Sequence, residues 1–107
     1  MKLSIIIPAY NEEKTLLQIL SQIKKIYLEN IKKEIIIIDD ASKDNTKKII
    51  ENIKDKNIKK IFHKKNQGKG SSVREGIRLS TGEIIIIQDA DLEYDPHDYQ
   101  KLINPII

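Results

Sequence analysis

Three short, Ile-rich apolar runs constrain the fold most: Leu3 to Ile7, Ile35 to Ile38 and Ile84 to Ile87. A strand with one face in water alternates apolar and polar residues, whereas a strand covered on both faces has no need to. The runs therefore predict buried strands of a parallel sheet with helices packed on it. A weaker run, Ile58 to Phe62, alternates more and carries Lys59 and Lys60. It predicts an edge strand, where lysine discourages pairing with a foreign sheet.

Helical patterns lie between the runs. Leu16, Leu20, Ile23 and Tyr27 predict one apolar stripe, with Asn11 as N-cap and Glu12 and Glu13 in a first turn that favours acids. Thr46, Ile49, Ile50 and Ile53 predict a shorter helix. Val73, Ile77 and Ser80 predict a third, closed by Gly82. Asp95-Pro96-His97-Asp98 opens a fourth, with Asp95 as N-cap and Pro96 at the first helical position. The order β-α-β-α-β-α-β-α predicts a parallel α/β sheet with flanking helices and right-handed crossovers. Residues 1–107 read as a single domain without repeat or linker.

Composition removes several classes. With no Cys there is no disulfide framework, thiolate metal site or Cys nucleophile, and a reducing, cytoplasmic setting fits. No apolar run approaches the roughly 20 residues a membrane span needs. The charge is uneven: nine Lys against Glu51 and Asp55 between Lys47 and Lys69, then six acids and no Lys or Arg from Glu83 to Asp98. The lysines are scattered, with only two Arg and few aromatics, so nucleic acid is not the expected partner. The acidic segment either caps the following helix or faces a cation.

In an open α/β sheet, ligands bind beyond the carboxyl ends of the strands. Those ends are polar here: Pro8-Ala9-Tyr10-Asn11-Glu12, Asp39-Asp40-Ala41-Ser42 and Asp89-Ala90-Asp91. Residues two apart on a strand share a face, so Asp89 and Asp91 are expected to converge. Two carboxylates brought together repel, and a hard cation such as Mg²⁺ or Mn²⁺ relieves that and can hold a diphosphate. The alternative is a plain polar turn. Of the adjacent pair, Asp40 is expected to meet a ligand, accepting an N–H from a base edge, and Asp39 to serve the structural role of capping the next helix. Tyr10 could stack on a base or ribose, or simply pack on its loop. Asn66-Gln67-Gly68-Lys69-Gly70 precedes a helix, and its N–H groups with Lys69 suit an anion; a flexible loop is the alternative. It is not a Walker loop, because position 63 is His and Gly70 follows Lys69. His63 and His97 are expected at the surface, and no serine has a hydrolase context.

Ile5 to Glu13, Ile38 to Thr46, Asn66 to Gly70 and Gly82 to Glu93, in this order and spacing, resemble the family-two nucleotide-sugar glycosyltransferases. The branch they look most like is the dolichyl-phosphate mannose synthase and polyprenyl-phosphate group. The resemblance covers nearly the whole chain and implies a Rossmann-like, GT-A type fold. It implies that Pro8, Ala9, Tyr10 and Glu12 line the nucleoside pocket, that Asp40 binds the base and that Ile38 flanks it. It implies that Asp89, Ala90 and Asp91 form the acidic motif meeting ribose, diphosphate and metal. Glu93 stands where that branch often has a Gln in the metal shell, and Ala41 where Gly is more usual.

The implied reaction is sugar transfer from a UDP- or GDP-linked donor, assisted by Mg²⁺ or Mn²⁺, to an acceptor such as a polyprenyl phosphate. Asp89 and Asp91 would be the catalytic pair, working at the cytoplasmic face of a membrane. Family domains run well beyond 107 residues, so the expected contribution of this chain is mainly donor binding. Two alternatives remain: a non-catalytic nucleotide-binding or interaction domain of the same fold, and a receiver-like signalling domain. The second is disfavoured because the first strand ends in Pro8-Ala9-Tyr10 rather than in an acidic pair and no lone Asp follows Phe62.

Overall fold

A computed structural model describes residues 1–91, Pro96 and Tyr99. Its elements run β1 (Lys2–Ala9), α1 (Leu16–Lys25), β2 (Lys32–Asp39), α2 (Thr46–Glu51), β3 (Ile58–Phe62), α3 (Lys69–Leu79) and β4 (Ile84–Ile87). The four strands form one sheet in the order β3-β2-β1-β4, and every neighbouring pair is parallel. The expected α/β architecture is therefore present. Because β2 and β3 lie on one side of β1 and β4 on the other, the strand order reverses between β1 and β4. A crevice opens at the carboxyl end of such a reversal.

One face of the sheet carries Leu3, Ile5, Ile7, Ile35 and Ile37, packed with Leu16, Ile19 and Ile23 of α1 and Ile50 of α2. The other face carries Ile6, Ile36 and Ile38, with Leu79 of α3 packed on them. Each fully buried Ile or Leu contributes about 2 kcal/mol of transfer free energy, so β1 and β2, apolar on both faces, anchor the domain. Lys33 of β2 reaches back to α1, and its Nζ donates to the carbonyls of Ile23 (2.6 Å), Lys24 (3.3 Å) and Ile26. That cation satisfies the orphan carbonyls at the helix end, a C-cap supplied by a neighbouring strand.

Several local expectations are corrected. Asn11 does not cap α1: the helix begins at Leu16 after Thr15, while Asn11 has φ 53° and belongs to the preceding loop. Its side chain accepts N–H groups from Lys43 (2.8 Å) and Asp44 (3.4 Å), joining two loops. Tyr27 is not on the buried stripe; α1 ends at Lys25 and Tyr27 is 82% exposed. In α3 the buried face is Ser72 and Gly76, not the Val73–Ile77 line, and Ile77 is exposed. The reason is close approach: a Cβ on Gly76 would stand 2.4 Å from Ile6 Cγ2 and 3.1 Å from Ile38 Cδ1. The helix lies so near the sheet that only small residues fit beneath it.

Gly82 does not close α3, whose C-cap is Ser80; it sits against Ser4 and the Lys2 carbonyl instead. β4 is not covered on both faces. Ile85 and Ile87 are 40% and 42% exposed, because among the described residues β4 is an edge strand with α3 set over β1 and β2. The expected fourth helix, apart from Pro96 and Tyr99, lies outside the described residues, as does Glu93. No helix among the described residues is long and apolar enough to cross a membrane.

Candidate functional site: a hollow at the strand ends

A hollow of about 360 Å³ opens at the carboxyl ends of β1 and β2, beside the N-terminus of α3. Pro8, Ala9, Tyr10 and Glu12 line one side, Asp40 another, and Asn66, Gly68, Lys69 and Ser72 the third. Two loops are stitched together to make its rim. Asn11 N–H donates to Ser42 Oγ (3.0 Å), Glu12 N–H to Thr46 Oγ1 (2.9 Å) and Glu13 N–H to Asp44 Oδ2 (3.4 Å). Asp44 also accepts the Thr46 N–H at 2.9 Å, a short-range bond that starts α2. Ala41, where the resemblance makes Gly usual, has φ 60° and so holds an L-residue in the left-handed region beside the hollow.

Asp40 is the most constrained side chain in the wall. Its Oδ1 accepts the Gln67 N–H at 2.8 Å and faces His63 Nδ1 at 2.9 Å; its Oδ2 accepts the Gly68 N–H at 2.9 Å. Burial favours the neutral acid, but the His63 bond and the two backbone N–H groups outweigh it and hold the carboxyl below its usual range. Gly68 has φ 90°, a conformation that turns its N–H inward and that L side chains avoid. Two N–H groups of the Gly-rich loop are thus spent on Asp40 rather than offered to an anion, which amends the anion-cradle expectation. His63 is not a surface residue: its side chain is 9% exposed and locked against Asp40. The strand register explains it. Asp39 pairs with Phe62, so His63 follows directly beside Asp40, and its N–H donates to the Asp39 carbonyl at 2.9 Å.

Asp39 does not cap the next helix, whose N-cap is Asn45. It is fully buried, and neither carboxylate oxygen has a hydrogen-bond partner among the described residues. Ile38 does not line the hollow; it is fully buried beneath α3. Ala90 is buried as well, and its carbonyl accepts the Thr15 hydroxyl.

β4 ends at Ile87, so Asp89 and Asp91 occupy the turn after the strand rather than alternate positions along it. Asp89 forms an ion pair with Lys69, the first residue of α3. Among the described residues no three His, Asp or Glu side chains group closely enough to hold a metal ion; Glu93, the third expected ligand beside Asp89 and Asp91, lies outside them. The carboxylates nonetheless share one field. The carboxyl of Glu12 is pushed up, first by burial and further by repulsion from Asp91, Asp44 and Asp89, against a lowering bond from Thr15. Oxygen donors that share such a field fit a hard divalent cation. Tyr99, which no sequence motif marks, is buried, and its hydroxyl donates to Gln88 Oε1 at 2.8 Å.

The family model described as Glycosyl transferase family 2 matches residues 4–107. The chain belongs to that family. A dolichol-phosphate mannosyltransferase of Pyrococcus furiosus is 36% identical over 107 residues, covering 99% of this chain and 30% of that protein. The structure of S. aureus TarS 1-349 in complex with UDP superposes with a TM-score of 0.77 at 28% identity, over 98% of this chain and 32% of that one. The mannosyltransferase PcManGT of Pyrobaculum calidifontis, in complex with GDP-Man and Mn²⁺, gives 0.73 at 30% identity, over 83% of this chain and 27% of that one. The fold is thus the GT-A nucleotide-sugar transferase fold, and the chain spans about a third of the length of the curated relatives it matches.

Proposed function

We propose that the hollow is the donor site of a glycosyltransferase, taking a nucleotide diphosphate sugar, with a polyprenyl phosphate at a membrane surface as the acceptor of the whole enzyme. The observation that carries this reading is Asp40. A buried carboxylate held ionised by His63, Gln67 and Gly68 stands in the wall of a hollow large enough for a nucleoside, at the reversal of strand order. Relatives bound to UDP or to GDP-Man and Mn²⁺ support it, as does kinship with a dolichol-phosphate enzyme.

Pro8, Ala9 and Tyr10 supply the apolar side against which a nucleoside packs, and Glu12 stands near the ribose. Asp40 accepts an N–H of the base. Lys69, at the start of α3, supplies positive charge toward the diphosphate while pairing with Asp89. Asp89 and Asp91, with Glu93, are the oxygen donors that would hold Mg²⁺ or Mn²⁺. Such an ion neutralises charge on the departing nucleoside diphosphate.

The test is a thermal melt of the 107-residue chain with UDP and with GDP, each with and without Mn²⁺. A nucleotide at about 100 times its Kd should add about 2.7 kcal/mol to stability, and Asp91→Asn should remove the metal-dependent part. A clear melt that neither nucleotide shifts, with or without Mn²⁺, would refute the donor site.

A further inference from the structure

The bonds around Asp40 also bear on which base it accepts, given the donor-site reading above. A carboxylate offers about four lone-pair sites, two on each oxygen. On Asp40, Oδ1 carries two partners, His63 Nδ1 and the Gln67 N–H, and Oδ2 carries one, the Gly68 N–H. The carboxylate is ionised and only accepts, so His63 holds a proton on Nδ1. Oδ1 is therefore closed, and among the described residues one acceptor site is left, on Oδ2.

Uracil and guanine present different edges to such a group. Uracil has a single N–H, at N3, between two carbonyl oxygens. Guanine has N1–H and the N2 amino group side by side, a pair of donors that suits both oxygens of a carboxylate at once. Two-point pairing needs an open site on each oxygen, and Oδ1 has none. Guanine in this position leaves a donor without a partner or displaces His63, and unpaired buried donors are costly. Asn66 lines the same hollow, and its amide gives one N–H to the Asp40 carbonyl at 3.3 Å. Its second amide N–H suits a uracil carbonyl.

We infer that Asp40, with Oδ1 closed by His63 and Gln67, reads a single base N–H, so that the site selects a uracil nucleotide over a guanine nucleotide and His63 is a specificity-determining residue. His63 acts through Asp40 and need not touch the nucleotide.

Titration calorimetry of the 107-residue chain with UDP and with GDP, in Mn²⁺, tests this. The native chain should bind UDP at least about tenfold more tightly than GDP. His63→Ala opens Oδ1 and should shrink that ratio to below about threefold. His63→Asn, whose amide nitrogen can take the place of Nδ1, should restore it. The ratio between two ligands is a readout that a general loss of stability does not move. GDP bound as tightly as UDP by the native chain would overturn the selection while leaving the donor site standing. Binding of neither would overturn both. An unchanged ratio in a folded His63→Ala would overturn the role of His63, and if that variant does not fold, the native comparison still decides the selection.

Discussion

Two buried acids, Glu34 within strand β2 and Asp40 just past its end, sit at opposite ends of the sheet and meet different fates. Glu34, at the amino end, is 5% exposed, and the surrounding elements converge on it. Lys59 Nζ of β3 lies 2.7 Å from its Oε1, Ser4 Oγ of β1 donates to Oε2 at 2.6 Å, and the Thr81 N–H donates there at 3.0 Å. Burial pushes its carboxyl up, but those partners outweigh it and draw it from an ordinary 4.5 down to about 2. Asp40, at the carboxyl end, is held by one imidazole and two backbone N–H groups and keeps one acceptor site open among the described residues. The same side-chain chemistry is a clamp where partners close around it from three sides. It is the proposed binding group where one side opens on a hollow. Burial and a perturbed acidity do not separate the two cases; the count of satisfied acceptors does.

The contrast can be broken at either end, and the largest effect is expected at the clamp. Glu34→Ala should cost about 3 kcal/mol in a denaturant melt, since it leaves the buried Ser4 hydroxyl and the Thr81 N–H without their acceptor, while leaving any UDP-induced shift intact. A loss below about 1 kcal/mol would mean that the amino end is not clamped by this acid.

Acid should reproduce part of that loss. A carboxyl lowered by folding stabilises the native state fully above its ordinary range and loses that contribution as pH falls toward the folded value. Stability should therefore decline between about pH 4.5 and 2, and Glu34→Gln should flatten the slope. Melts over that range check it, and an equal slope in the variant would assign the decline to other acids. Asp40 is lowered in the same direction and adds to the decline. The smallest stability change should come from Asp40→Asn, about 1 kcal/mol for the altered backbone bonds, yet it should abolish the UDP shift. A variant that still bound UDP would make Asp40 a second clamp.

Strand number, parallel pairing and the placement of polar residues at strand ends were legible because each depends on local pattern. The Ile runs at 3–7 and 35–38 need cover on both faces whatever surrounds them. The runs at 84–87 looked the same and became an exposed edge, because cover for a strand comes from elements elsewhere in the chain. The α3 stripe misled for a related reason. Apolar spacing marks a buried face only when the helix stands off at ordinary distance, and α3 lies so close that Ser72 and Gly76 make the contact.

At the site, the sequence by itself determined that acids would gather beyond β1, β2 and β4 and that, of Asp39 and Asp40, Asp40 was the one expected to meet a ligand. It also carried the family signature across residues 4–107. What only the tertiary structure decided was who holds Asp40. His63 stands 23 residues away and Gln67 and Gly68 stand 27 and 28 away, and no periodicity joins them. The parallel register of β2 with β3 sets His63 beside Asp40, and a glycine at φ 90° turns the loop back upon it. Pattern in a sequence reports what a residue needs from its immediate surroundings. Which lone pair stays open depends on partners that only folding brings within hydrogen-bond distance.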